Sequence, residues 1–421
     1  MTGTFRSLAG RNYRLWAAGA IVSNVGTWMQ RTAQDWLVLT VLTHNNATAL
    51  GVVMALQFGP LVLLLPLTGW AADHYDRRKL LIATQTALGV LALGLGLLTV
   101  TGLVQLWHVY VFAFGLGCVT AFDAPARQTF VSELVGEADL SNAVALNSTS
   151  FNAARMIGPA VAGVLIAALG TGAVFLINGA SFAAVIGSLS LLRVSELHRK
   201  DAPIASRGRF VEGFRYVGSR PDLGALFLML FLIGTFGFNS AIFISTMSVT
   251  VYHVGAGQFG LLTSAMALGS VGGALMSARR GRPSITLLIG AAAIFGVGYG
   301  LASAAPNYVL FALALVLVGL SVQTFTTSTN ALVQMTTAPD MRGRVIAILL
   351  ALTLGGTPIG APIVGWVADQ FGARLALCVG ASSGFVAAGI GVIYLWRYRQ
   401  LRLAVEDGRL RFRLDGSAKA A

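Results

Sequence analysis

Apolar residues fall in long runs of about 20, separated by short polar breaks. A run of that length crosses a hydrocarbon core as an α-helix, because lipid offers no partner for exposed backbone N–H and C=O groups. The pattern predicts twelve spans, at about 15–41, 49–72, 80–102, 107–127, 144–168, 173–193, 223–250, 257–278, 285–304, 307–330, 345–368 and 374–396. The densest polar break is Asp73-His-Tyr-Asp76-Arg77-Arg78-Lys79, a cationic turn between the second and third spans.

Composition agrees with this pattern. Of 421 residues 56% are hydrophobic and 11% charged, where a soluble protein carries about 25% charged residues. Mean hydropathy is +0.75. The predicted class is an all-α integral membrane protein. A net charge of +13 would suggest nucleic acid in a soluble chain, but here the cations sit in short loops beside spans, so no nucleic-acid partner is expected. All but three of the 29 Lys and Arg fall on one side of the predicted topology; the exceptions are Arg374, on the other side, and Arg31 and Arg155, inside spans. The positive-inside rule then puts both termini in the cytoplasm. The outer loops are too short to carry a receptor or enzyme domain. Cys118 and Cys378 lie inside apolar runs and imply no disulfide framework. Arg6, Arg11 and Arg14 precede a run too long for a cleaved signal peptide, so it is expected to be a retained first span.

The expected organisation is an N-terminal six-helix bundle at 1–193, a cytoplasmic linker at 194–222, a second six-helix bundle at 223–396 and a basic cytoplasmic tail at 397–421. Within the linker, Phe210, Phe214 and Val217 lie at helical spacing among Arg209, Arg215 and Arg220, the pattern of a short amphipathic helix on the inner membrane surface; a solvated linker is the alternative. The halves repeat faintly. Gly158, Gly163 and Gly170 are matched 202 residues later by Gly360, Gly365 and Gly372, and Gly69 and Arg78 are matched by Gly273 and Arg282. Six spans followed by six parallel spans is a transporter pattern with a path between the halves, although small residues also suit close helix packing.

Ionisable residues at membrane depth are expensive and are functional candidates. Asn24, Thr27, Arg31, Gln34 and Asp35 share one face of the first span, and Arg31 and Asp35 are spaced to pair four residues apart. Asn152 and Arg155 share a face of the fifth span, and Asp123 sits near the inner end of the fourth, one turn before Arg127. Asn239, Gln323 and Asn330 add polarity in the seventh and tenth spans as further cavity candidates. Asp35 has two readings: a proton-coupling carboxylate, or a structural partner of Arg31 or Arg155. Arg155 is likewise open between a substrate role and an ion pair, and Asp123 between a functional and a structural one.

Signals of catalysis are missing or misplaced. No Lys precedes Ser or Thr, so this chain holds no nucleotide P-loop. Gly380-Ala-Ser382-Ser-Gly384 satisfies G-x-S-x-G but lies inside the twelfth span with no strand before it. The five histidines are scattered without metal spacing. Neither an enzyme, a cofactor nor a metal is expected.

Gly69-x-x-x-Asp73-x-x-x-Arg77-Arg78, placed between the second and third spans, resembles the loop signature of the major facilitator superfamily. It departs from the usual pattern at His74 and Asp76, and in the second-half counterpart, which begins at Gly273, Ser277 replaces the acid. Ala154-x-x-x-Gly158-Pro159-x-x-Ala162-Gly163 resembles in part the antiporter signature of that superfamily. Gly26-Thr-Trp28-Met-Gln30, Ala124-Pro125-Ala126-Arg127-Gln128 and Asn142-Ala143-x-x-Leu146-Asn147 are similar to the enterobactin-exporter and macrolide-efflux branch, the transmembrane secretion effectors. The resemblance implies two parallel bundles, a conformational latch at Gly69, Asp73, Arg77 and Arg78, and a hinge or close-packing surface at Gly158, Pro159 and Gly163. It also implies proton-driven export of drugs, siderophores or other small amphiphiles. A second stretch, Gly365-Trp-Val-Ala-Asp369, reads like the first knot but falls on the outside, where Asp369 and Arg374 are expected to form a local ion pair.

The expected function is therefore a proton-coupled exporter working by alternating access. The alternatives are an uptake symporter for a small metabolite and a non-transporting sensor or assembly partner. Expected partners are a small-molecule substrate, protons and the lipid bilayer. The chain is expected as a monomer in a bacterial cytoplasmic membrane.

Overall fold

The computed structural model describes residues 5–198, 210–279, 283–398, 401–406 and 409–414; the side chains at 66, 69, 70, 72, 73, 210, 211, 401–406 and 409–414 lie outside that description. Helices account for nearly all of the described backbone. Among the described residues nine segments are long and apolar enough to cross a membrane, and the protein is a multi-pass membrane protein.

The first span is α1 (Arg11–Trp36), prolonged by a π-helical turn at Leu37–Leu42. The second is divided into α2 (Ala47–Leu63) and α3 (Leu65–His74), with Pro66 at the start of α3. Then come α4 (Arg77–Val100) and α5 (Leu106–Leu134). A 54-residue helical run, α6 (Glu137–Ser190), is broken at Gly170, whose φ of 81° a side chain would strain. This is the predicted junction of the fifth and sixth spans. Gly372, its partner in the 202-residue repeat, has φ 90° at the turn between α13 (Arg342–Phe371) and α14 (Ala373–Tyr398). Between these lie α7 (Phe210–Ser219), α8 (Pro221–Leu232), α9 (Ser240–Thr246), α10 (Ala256–Arg279), α11 (Ile285–Ala304) and α12 (Tyr308–Thr336). Side chains close several N-termini, where backbone N–H groups lack helical partners. Asn46 caps α2, Asp76 caps α4, Ser284 caps α11 and Asn307 caps α12. The membrane-spanning part is all helical, as expected; beyond α14, in the tail, Leu401–Glu406 pairs antiparallel with Arg409–Leu414.

The chain divides into two compact units. The first contains Met1–Ser206, Asn239–Leu268 and Thr357–Ala376; the second contains Arg207–Phe238, Gly269–Gly356 and Leu377–Ala421. In the first unit, Tyr13, Trp16, Leu81, Phe130 and Leu189 build a core near the Arg77–Lys79 end. The Tyr13 hydroxyl donates to the Ala143 carbonyl at 2.8 Å, and Asn142 accepts from the Ser7 backbone and hydroxyl. These contacts account for the Asn142-Ala143 pair as packing.

Two second-half stretches join the first unit through helix crossings without room for side chains. A Cβ on Gly51 of α2 would lie 2.4 Å from the Ala361 carbonyl oxygen of α13, and one on Gly365 would lie 2.4 Å from that of Ala47. At the related crossing, a Cβ on Gly163 of α6 would lie 2.6 Å from the Ala256 carbonyl oxygen, and one on Gly260 of α10 would lie 2.2 Å from that of Pro159. The repeat visible in the sequence therefore marks equivalent contact points.

In the second unit, Tyr299 is buried and donates to the Gly237 carbonyl at 3.1 Å. The expected amphipathic helix forms as α7, but its buried positions are Gly213 and Val217, while Phe214 is 55% exposed. Glu212 pairs with Arg344 of α13 at 3.0 Å and the Tyr216 hydroxyl accepts from the Ala338 N–H. The helix is docked on protein along that face. The 199–209 part of the linker lies outside the described residues.

Candidate functional site

Within the first unit, α1 and α6 bring Arg31 and Arg155 around one aromatic side chain, with Asp35 one turn beyond Arg31 on α1. The Arg31 guanidinium carbon lies 5.0 Å from the centroid of Trp28 and 5.7 Å from that of Phe58. That of Arg155 lies 5.8 Å from Trp28. The indole thus serves two cations, and Phe151 meets its edge at 5.8 Å. Such contacts stabilise a desolvated cation by about 2 kcal/mol. Trp28 can approach α6 because Gly158 faces it; a Cβ there would lie 2.6 Å from the Cβ of Trp28.

Arg31 is within electrostatic reach of both Asp35 and Arg155, but the expected Arg31–Asp35 ion pair does not form. No ion pair within 4 Å or hydrogen bond reaches the Asp35 carboxylate among the described residues. Helical geometry explains the difference. Side chains lean toward the helix N-terminus, so Arg31 leans toward Trp28, away from Asp35. An acid C-terminal to the base is also the poorer order for an i,i+4 pair. Arg31, Asp35 and Arg155 are half-buried, and Nε of Arg31 is buried without a hydrogen-bond acceptor. Two cations and one carboxylate leave this cluster with a formal excess of positive charge.

Asp123 is in a different position. It is 6% exposed, and its carboxylate accepts from Thr84 Oγ1 at 2.8 Å, Gln85 Nε2 at 2.7 Å and Arg127 Nε at 3.2 Å. Arg127 also donates to Asn24 Oδ1 at 3.3 Å and lies over Trp16. Asp123 and Asn24 therefore belong to a network joining α1, α4 and α5 in which the carboxylate is saturated, while Gln85 Oε1 is buried without a hydrogen-bond partner among the described residues.

The remaining cavity candidates scatter. Thr27 donates its hydroxyl to the Ser23 carbonyl, and the Asn152 amide donates to that of Ser148. Gln34 is 2% exposed and donates to Gln57 Oε1 at 3.3 Å. Asn239 is fully buried at the start of α9. Gln323 and Asn330 do come together, on one stripe of α12 beside a recess of about 470 Å³ in the second unit. Gln323 donates to Thr327, and Asn330 accepts from Gln334. Pro159 and Gly163 face α10, where Ser264 Oγ donates to the Met156 carbonyl at 2.7 Å.

At the cationic turn, Arg77 pairs with Glu133 at the end of α5. Arg78 Nε donates to the Leu189 carbonyl at 2.7 Å, satisfying the end of α6. Asp76 accepts from the Lys79 N–H at 3.0 Å. Gly69 and Asp73 lie on α3 but outside the residues whose side chains are described. At the opposite helix ends, Asp369 reaches 322 residues back along the chain. Its carboxylate accepts from the backbone N–H of Ala47 at 2.7 Å, that of Thr48 at 2.8 Å and the Thr48 hydroxyl at 2.5 Å. It caps α2, where unpaired N–H groups and the helix dipole favour an anion.

Trp28, Phe58, Glu133 and the cap made by Asp369 were not foreseen as site elements. Trp28 stands one turn before Arg31, a spacing that could have suggested it. The partners of Glu133 and Asp369 lie 56 and 322 residues away, beyond any local pattern.

Residues 2–409 match the family described as transmembrane secretion effector. The chain belongs to that family. Among its relatives, the staphyloferrin A transporter of Staphylococcus aureus is 25% identical, over 91% of this chain and 95% of that one. The enterobactin exporter EntS of Shigella flexneri is 27% identical over 86% of each chain. The multidrug efflux pump Tap of Mycolicibacterium fortuitum is 26% identical over 91% of this chain and 96% of that one. The fold is that of major facilitator transporters. The nucleoside transporter NupG superposes with a TM-score of 0.72 at 14% identity, covering 91% of this chain and all of that one. This secretion effector is thus a membrane transporter, as the resemblance of its motifs implied.

Proposed function

We propose that this secretion effector is a proton-coupled exporter of small amphiphilic compounds, with Asp35 as the coupling carboxylate and Arg31, Arg155 and Trp28 as the adjoining cargo-binding face. The observation that carries the reading is the contrast at membrane depth between Asp35, which lacks a direct polar partner among the described residues, and Asp123, whose carboxylate is saturated. A carboxylate without fixed hydrogen bonds takes up and releases a proton at little structural cost, and one held by three donors does not. The relatives named as exporters and an efflux pump support the direction.

In this reading twelve spans form two parallel six-helix bundles, with both termini in the cytoplasm of a bacterial cell. Transport alternates between opening at the Arg77–Lys79 end and opening at the Asp369 end. The Arg77–Glu133 pair and the Arg78 contacts latch the first, and the glycine crossings and the Asp369 cap hold the second. The test uses inverted membrane vesicles energised by respiration and loaded with candidate drugs and siderophores. Uptake that disappears when the proton gradient is collapsed, and that Asp35→Asn abolishes while the protein still inserts, is the expected result. Uptake indifferent to the gradient removes the coupling claim.

A further inference from the structure

Arg31 and Arg155 stand inside the apolar spans, and neither is given an acceptor. A guanidinium carries several N–H donors and no acceptor of its own. Among the described residues no hydrogen bond or ion pair reaches either one, and the buried Nε of Arg31 leaves its N–H unused. Other arginines of the first unit are provided for. Arg77 has Glu133, Arg78 has the Leu189 carbonyl, and Arg127 has Asp123 and Asn24. Arg31 and Arg155 have aromatic rings instead. A ring face holds a cation without consuming its hydrogen-bond donors.

The charge balance of this cluster is one-sided. Asp35 acts on Arg31 through its field and not through a direct contact, and one carboxylate offsets one cation at most. The excess is positive whether Asp35 is ionised or protonated. Charge at membrane depth is costly until a partner offsets it. A cationic cargo finds little here, because the indole that would receive it already serves the protein's own guanidiniums. The recess on α12 in the second unit is lined by amides, hydroxyls and one alanine, so it adds no carboxylate for a cation. An anion, by contrast, meets unused donors. The apolar part of the same molecule meets Phe58 and Phe151, the latter 48% exposed and edge-on to Trp28.

We propose that the cargo is an organic anion, a carboxylate, sulfonate or phenolate on a planar apolar body, with its charge at Arg31 and Arg155 and its body against Trp28, Phe58 and Phe151. The inference rests on the reading of this face as the cargo site and names the class of compound it takes. Guanidinium forms strong, directed hydrogen bonds to such oxyanions and is less strongly hydrated than an ammonium, which suits a half-buried site. A monoanion is also the charge that an inside-negative membrane potential drives outward, in keeping with export.

The test is calorimetric titration of the purified full chain in detergent, without a gradient, using probes that share one ring system: naphthalenesulfonate, the neutral naphthalenesulfonamide and the cationic naphthylmethylammonium. The sulfonate is expected to bind about tenfold or more tighter than the sulfonamide, the increment of a hydrogen bond to a charged group, and the ammonium should bind weakest. Arg31→Gln with Arg155→Gln should erase the preference for the sulfonate. Arg155→Lys, which keeps the charge without the planar fork, should keep part of it. The comparison of probes on the unaltered protein needs no variant to fold. A sulfonamide or ammonium that binds as tightly as the sulfonate overturns the proposal. So does a sulfonate that fails to bind, or one that keeps its preference in the double variant. Displacement of the sulfonate by inorganic phosphate at equal concentration would make this a site for any small anion or headgroup, and overturns it too. Because no gradient is present, a failed coupling experiment leaves this result standing, and equal binding of the probes leaves proton coupling at Asp35 untouched.

Discussion

Two intramembrane acid–base clusters lie in the first unit and are built on opposite rules. Around Asp123, a guanidinium, a hydroxyl and an amide N–H saturate the carboxylate, and the guanidinium also donates to the Asn24 amide oxygen. Around Arg31 and Arg155, the cations rest on aromatic faces, and among the described residues the carboxylate of Asp35 stands without a direct partner. The first arrangement is what a permanent joint between helices requires, because a charge removed from water must be fully paired. The second has interactions to spare, so a proton or a cargo group can join it without breaking a network. Charge at membrane depth marks both clusters equally in the sequence, and hydrogen-bond saturation separates them.

The comparison can be broken most directly by removing each acid. Asp123→Ala leaves Arg127 uncompensated, along with the Thr84 and Gln85 donors, and should cost about 3–5 kcal/mol. Thermal unfolding in detergent and the yield of monodisperse protein would show it. Asp35→Ala should change the same measurements far less, and an equal loss would erase the distinction. Trp28→Ala comes next. It strips two guanidiniums of their shared ring and should cost about 2 kcal/mol or more, together with weaker binding of whichever compound the vesicle assay identifies as cargo, read by equilibrium titration. Smaller again is Asp369→Asn, which keeps one oxygen acceptor and loses the charge facing the α2 dipole, worth about 1 kcal/mol. Its signature should be faster labelling of a cysteine placed at Thr43, reporting looser α2–α13 contact. A last pair tests the crossings. Gly163→Ala must displace the Ala256 carbonyl and should destabilise by about 1–3 kcal/mol. Gly187→Ala meets nothing within 4 Å and should be neutral or stabilising by up to about 1 kcal/mol. Similar melting temperatures for the two would deny that the glycine contact is tight.

Much of the architecture was readable in advance. Apolar run length located the helical segments, and the turn residue Gly170 divided the fifth from the sixth predicted span. The 202-residue offset of Gly163 and Gly365 picked out two glycines that face carbonyls. The candidate site was readable only as a pool of residues. Of the polar positions expected in a cavity, Asn24 and Gln34 bond to other helices, and Thr27 and Asn152 bond to their own backbone. A helical-face argument places residues on one side of a helix and says nothing about what the neighbouring helix offers them. For the same reason Asp369 was expected to pair with nearby Arg374, and its carboxylate is found on the N-terminus of α2.

The amino-acid sequence by itself determined that this chain is a helical membrane protein with a repeated plan, and which few charges sit in the apolar interior. Those properties follow from hydropathy and spacing, which act locally and survive any rearrangement of partners. The tertiary structure alone decided which of those charges are satisfied. Saturating Asp123 takes donors from α4 and α5, arming Trp28 takes cations from α1 and α6, and capping α2 takes a carboxylate from the far end of α13. Each is a meeting of groups distant along the chain, and only packing sets such distances.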